Sequence, residues 1–381
     1  MIYFDNSATT KPKKEVLDTF VKTAGNYYGN PSSVHHLGLQ TENLLNQARQ
    51  QIASLLNVDD QEVIFTSGGT EGNNFILKGI AEQYRNRGKH IITTMIEHPS
   101  VLNTCQQLEN KGYDITYLPV DQNGQVRVED VQCSIREDTI LVSIMHVNNE
   151  VGSIQPIEAI GRMLKNYPKI LFHSDCVQGV TKVPLDLHES MLDFATISSH
   201  KFHGLKGTGA IYMRKGLKID PLLSGGGQER GFRSGTENLP GIVAMAKALR
   251  LSMLDYETKA FEMEEIRNLL INGIEAIDGL TMNTPKNYCA PHIINFSAYQ
   301  FKAEVLVHEL EKHGLYVSTT SACSSRTNEP SKTILAMGLG EERASTSIRM
   351  SLSYENTRNE AIEALKIIEQ SIMNLKPVMR G

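Results

Sequence analysis

The segment SSHKFHG (198–204) sets Lys201 among hydroxyls and imidazoles, at the end of the apolar run DFATISS (193–199). An amine held out of water is a nucleophile, and the reaction open to it is Schiff-base formation with a carbonyl. Most lysines are solvated surface groups, so its partners decide. Asp175 ends the run KILFHSD (169–175), sharing one strand face with Leu171 and His173. An acid there, one β-element before the lysine, could pair with the ring nitrogen of a pyridoxal cofactor. A helix cap is its plainer role. Cys323 is the third reactive group. It lies in VSTTSACSSRTNEPSK (317–332), where small and hydroxyl residues replace any apolar period, a composition expected of a loop. A thiol in such a segment is a better candidate for chemistry than for a core.

Further polar residues fall at corresponding places. Thr70 follows EVIF (62–65), His98 follows HIITTMI (90–96) and Asn149 follows TILVSIMHV (139–147). Ligands of open α/β sheets bind at the carboxyl ends of the strands, so these three are expected to converge with Asp175 and Lys201 on one pocket. SGGTEGN (67–73) opens a helix with small residues, which suits an anion such as phosphate at the positive end of the helix dipole. A simple N-cap by Thr70, with Glu71 in the first turn, explains the motif equally well.

Other chemistries are disfavoured. There is no G-x-x-x-x-G-K-[ST] nucleotide loop and no G-x-G-x-x-G after the first strand, while GLKGTG (204–209) precedes a strand and reads as a turn. HELEKH (308–313) places its histidines five apart, where a zinc helix needs four to bring both to one face. His200 and His203 have no nearby acidic or histidine partner, and surface or phosphate-facing positions are expected for both. No metal site is expected.

The elements that must position these groups alternate. Helical rhythm over 37–57 gives way to strands near 62–65, 90–96, 114–120, 139–147, 169–174, 193–199 and 208–214, with helices predicted near 70, over 99–111 and over 157–167. That order implies a mainly parallel sheet covered by helices on both faces. A long helix over 238–277 leads to a smaller α+β pattern, with strands at 292–299, 315–319 and 346–354 and helices at 303–313, 332–337 and 359–375. In 381 residues this gives a large α/β domain, 15–255, and a small α+β domain built from 1–14 and 256–381 that carries the Cys323 loop.

With net charge −5 and no long basic block, extended nucleic-acid binding is not expected. Five scattered cysteines without a C-x-x-C pair argue against a disulfide framework or zinc cluster, and Cys105 has the helical apolar neighbours of a core residue. No basic start followed by an apolar run marks an export signal, and the strongest apolar stretch, 139–147, is too short to span a bilayer. A cytoplasmic location without membrane contact is the expectation.

The motifs DNSATT (5–10), GNPSS (29–33), SGGTEGNN (67–74), EHPSV (97–101), HVNNEVG (146–152), HSDCVQG (173–179), SSHKFHGLKG (198–207), GGGQERGFRSGT (225–236), SACSS (321–325), EPS (329–331) and SIRMSL (347–352) run almost end to end. Jointly they resemble the NifS/IscS-type cysteine desulfurases, in the class V aminotransferase group of fold-type I pyridoxal 5′-phosphate (PLP) enzymes. The resemblance implies conversion of L-cysteine to L-alanine, with the sulfur left as a persulfide on Cys323. It implies that Lys201 carries PLP as a Schiff base, Asp175 pairs with the pyridinium, and His98 stacks on the ring and assists proton transfer. Gln178 would bond the ring oxygen, and Gly69, Thr70, Ser198 and His200 the phosphate. Thr236 would reach the phosphate of a neighbouring subunit, implying a homodimer. Asn149 and Arg349 would bind the substrate carboxylate, and Arg349, set with Ser347 and Ser351 opposite Ile348, Met350 and Leu352, has a planar guanidinium suited to that task.

A sulfur acceptor, an iron–sulfur scaffold or a tRNA-thiolating enzyme, is the implied partner. Selenocysteine lyase, another PLP enzyme of the class V type, or a non-catalytic relative that kept the fold are the alternatives. Three positions depart from the family pattern: Leu205 for proline, Ser324 for threonine, and Cys176 for alanine. Cys176 is either a packing residue or a second thiol near the ring.

Overall fold

The computed structural model describes residues 1–299, 301–319 and 329–375. Among the described residues twelve strands are formed: β1 (Ile2–Tyr3), β2 (Val63–Thr66), β3 (His90–Thr94), β4 (Asp114–Leu118), β5 (Thr139–Ser143), β6 (Leu171–Asp175), β7 (Phe194–Ser198), β8 (Gly209–Met213), β9 (Leu280–Met282), β10 (Ile293–Ala298), β11 (Leu315–Tyr316) and β12 (Ser347–Ser351). Seven make one sheet in the order β2-β8-β7-β6-β5-β3-β4. From β7 through β4 neighbours are parallel, whereas β8 is antiparallel to both β7 and β2. The short connection over 199–208 explains that exception, because a parallel return needs a crossover of a dozen or more residues.

Every residue of β2, β3, β5, β6, β7 and β8 is buried. Consecutive side chains feed two different apolar layers, as a strand's two-residue period requires: Ile91, Leu171 and Phe194 pack on one, Ile92, Phe172 and Ala195 on the other. Helices Gly69–Gln83 and Pro99–Glu109 cover the first face, while His36–Leu55, Ile157–Leu164 and the start of Leu239–Glu275 cover the second. The expected α/β layering is therefore what the chain adopts.

The helix Leu239–Glu275 runs unbroken through residue 255. Its side chains up to Met253 pack on the second of these layers, and from Tyr256 onward they join a separate cluster with β9, β10, β12 and the helices Ala303–Lys312 and Arg358–Leu375. Residues at the N-terminal end contribute to that separate cluster: Ile2 and Phe4 are buried in it, β1 pairs in parallel with β11, and Asn6 Nδ2 donates to Ser351 O at 3.0 Å. Segment 5–10 then crosses to the large sheet, where Thr10 N donates to His200 O at 2.9 Å. No helix among the described residues is long and apolar enough to cross a membrane.

Candidate active site

Segment 5–10, β12 and the carboxyl ends of the parallel strands enclose one cavity. Gly69, Thr70, His98, Asn149, Asp175, Gln178, Ser198, His200, Lys201 and Arg349 all line it, alongside Ser7, Ala8, Asn73 and Ser100. Two of the expected site residues are not in this wall. Thr236 is exposed elsewhere on the same chain. Cys323, with Ser324, lies outside the described residues.

The lysine follows β7 in a short 3-10 turn, Ser199–Lys201. Its Nζ donates to the main-chain oxygens of Ser7 and Ala8, the latter at 2.9 Å. On the neighbouring strand the Asp175 carboxylate is only 6% exposed and receives two donors: Val177 N at 3.0 Å on Oδ1 and Asn73 Nδ2 at 2.6 Å on Oδ2. The local turn bond is thus real, and it leaves the carboxylate lining the cavity. His98 caps the helix Pro99–Glu109, its Nδ1 accepting from Ser100 N at 3.1 Å. Burial holds its basicity below the ordinary histidine value, opposed by Asp175 and assisted by Lys201 and Arg349.

The phosphate end is built from backbone. The N-cap of helix Gly69–Gln83 is Gly68, not Thr70, and no side chain caps its first N–H groups. The N-cap reading of Thr70 is corrected on this point: Gly68 takes φ +151°, a conformation other residues rarely adopt, and Gly209 packs so close that a Cβ on it would lie 2.7 Å from Gly68 Cα. Facing this helix end, Ser198 Oγ is buried with no partner. An uncapped helix start beside an orphaned hydroxyl suits the phosphate of PLP. His200 stands beside it, its basicity pushed down to about 4 by burial, then by Lys201 and Lys206. His203 corrects its expectation. It is neither on the surface nor in the cavity wall but 1% exposed, with Nδ1 bonded to Lys11 O at 2.9 Å, so it anchors the N-terminal segment.

At the opposite wall Arg349 is 1% exposed. Nη1 donates to Asn149 O and Nη2 to Asp5 Oδ1, each at 3.0 Å, while Nε has no partner. Gln178 Nε2 donates to Ser7 O at 3.0 Å. Cys176 is fully buried among apolar side chains, and burial pushes its thiol up to about 12, which makes it a packing residue and not a second reactive thiol. No group of three or more His, Cys, Asp or Glu poised to hold a metal exists among the described residues.

Sequence reasoning assigned no role to Asp5, Ser7, Ala8, Asn73 or Ser100. The first three lie in a segment too short for any periodicity. Asn73 and Ser100 were detectable only as polar residues in the first two turns of helices that start at strand ends.

This arrangement has known counterparts. The chain matches the family described as Aminotransferase class-V over residues 2–365. It is 45% identical over 372 residues to a NifS/IcsS protein homolog of Lactobacillus delbrueckii subsp. bulgaricus, covering 97% of each chain. It is 42% identical to the cysteine desulfurase IscS of Dictyoglomus turgidum, covering 99% of this chain and 96% of that one. A solved NifS-like protein superposes with a TM-score of 0.93 at 40% identity, over 98% of this chain and all of the other. A lysine and a buried aspartate in one cavity, a helix start suited to phosphate and full-length similarity agree, and the chain belongs to the class-V aminotransferase family.

Proposed function

We propose that the chain is a PLP-dependent cysteine desulfurase, releasing L-alanine from L-cysteine and passing the sulfur through Cys323 to an acceptor. The observation that carries this reading is the single cavity in which Lys201, Asp175, His98, Gln178 and Arg349 meet. PLP, when bound, supplies an electron sink for the pair of electrons left at the substrate Cα.

The chain's own groups would divide the remaining work. Lys201 would carry the cofactor and, once released, move the Cα proton. Asp175, fixed by Asn73 and Val177, would keep the ring nitrogen protonated. His98 would stack over the ring, Gln178 would meet the ring oxygen, and Gly69, Thr70, Ser198 and His200 would hold the phosphate. Arg349, with Asn149 beside it, would orient the substrate carboxylate. The Cys323 thiolate would take the substrate sulfur. Thr236, exposed on its own chain, would serve the phosphate site of a second subunit in a homodimer. The change of apolar cluster along the helix Leu239–Glu275 supports a large unit, 15–255, and a small one, 1–14 with 256–381. A cytoplasmic location and an acceptor in iron–sulfur assembly or tRNA thiolation belong to the same proposal.

Borohydride reduction followed by peptide mapping tests the cofactor lysine, and reduced cofactor on any lysine but 201 overturns the reading. Cys323→Ala is expected to retain PLP and lose alanine and sulfide production. Near-normal turnover by that variant removes Cys323 from its role.

A further inference from the structure

Behind the cavity wall a hydrogen-bonded chain links His98 to Asp175. Asn73 is fully buried and divides its side-chain nitrogen between two acceptors: Nδ2 donates to Asp175 Oδ2 at 2.6 Å and to Ser100 Oγ at 2.8 Å. Ser100 Oγ stands 2.8 Å from His98 Nδ1, and the Ser100 N–H reaches the same nitrogen at 3.1 Å.

The direction of each bond is forced. An ionised carboxylate only accepts, so Asn73 must face Asp175 with its NH2 group. Both amide hydrogens are then committed, and Ser100 Oγ accepts one of them. The hydroxyl's own hydrogen has His98 Nδ1 as its acceptor. With two donors on Nδ1, the neutral imidazole must carry its proton on Nε2. Asn73 Oδ1 meanwhile is buried with no partner, an arrangement that destabilises the fold. The side chain therefore does not sit there to satisfy itself; its nitrogen is what the site uses.

We propose that Asn73 and Ser100 are positioning residues that couple His98 to Asp175, fixing the imidazole as its Nε2–H tautomer and the carboxylate between Asn73 and Val177. Resting on the function proposed above, this coupling takes His98 and Asp175 as the two groups that hold the PLP ring. His98 then meets cofactor and substrate as a donor through Nε2. It gains a proton at Nδ1 only by releasing Ser100.

Two measurements on the full-length protein test the coupling. The first is the 15N spectrum of the PLP-loaded enzyme labelled at histidine, with His98 assigned by His98→Gln. An Nε2–H pattern is expected, and an Nδ1–H pattern overturns the proposal. It needs no positioning variant, so a variant that fails to fold leaves it standing. The second is PLP affinity, read by absorbance titration of cofactor-free protein, for Ser100→Ala, Asn73→Ala and the double variant. Each single change is expected to weaken binding about tenfold and the double also about tenfold, because members of one network do not act independently. Unchanged affinity, or a product near a hundredfold, overturns the coupling. If the unaltered protein holds no PLP on Lys201 by borohydride mapping, the proposed function fails first. If it does and the variants match it, only the coupling fails.

Discussion

Arg349→Leu separates what the guanidinium does for the fold from what it does for the substrate. The side chain is buried, and its Nη2 pairs with Asp5, whose own side chain is 18% exposed. Removing one member of a buried pair costs about 3–5 kcal/mol, and the partial hydration left to Asp5 places this case near about 3 kcal/mol. If Arg349 holds the substrate carboxylate as proposed, losing that two-point charged contact is expected to remove about 3 kcal/mol more from transition-state binding, or roughly a hundredfold in kcat/KM. The companion variant Asp5→Asn/Arg349→Leu leaves no orphaned charge. It is expected to regain most of the stability in urea unfolding of the PLP-free protein, and none of the kcat/KM for cysteine measured by alanine release. A kcat/KM within about threefold of the parent in Arg349→Leu would place the carboxylate elsewhere. A double variant as unstable as the single one would show that the Asp5 pair is not the source of the cost.

Burial alone pushes His146 down to about 4 and His173 to about 3. Below about pH 6.5 the unfolded chain takes up protons that these folded imidazoles refuse, so their contribution is complete above that pH and is lost as pH falls to about 4 for His146 and about 3 for His173. The slope approaches about 1.4 kcal/mol per pH unit for each histidine; His173→Gln is expected to lower it by one proton's worth in urea unfolding at pH 6, 5 and 4, and an unchanged slope refutes the assignment. For Cys176, native alkylation at pH 8 followed by peptide mapping is expected to modify exposed Cys133 and spare Cys176. Equal labelling of the two would contradict its burial.

The layering was legible because strands buried on both faces read as near-continuous apolar runs, and the first polar residue after each run marks a carboxyl end. Thr70, His98, Asn149, Asp175 and Lys201 fall at such ends and line one cavity. Close approach between distant segments was not legible. Nothing local in DNSATT says that Ser7 and Ala8 will present carbonyls to Lys201, because that depends on Asn6 and Ser7 bonding to Ser351. Thr70 had the composition of a cap, but the cap is Gly68, two residues earlier and in close approach to Gly209. The polarity of His203 suggested a surface or phosphate-facing place, and its bonds to Thr10, Lys11 and Lys13 explain its burial instead. The register of Asn73 and Ser100 across two helices lies likewise beyond any one-dimensional period.

The stitching of segment 2–10 onto β11 and β12 has a temporal corollary. The Asn6–Ser351 contact closes a loop of 345 positions, so the segment that sets Ser7 and Ala8 in the cavity wall has nothing to fasten to until β12 has been made and placed. Loop closure on that scale is a late event in folding. The large sheet can assemble first around an open trough, and capture of PLP is then a finishing step that waits for β12 to dock on segment 5–10.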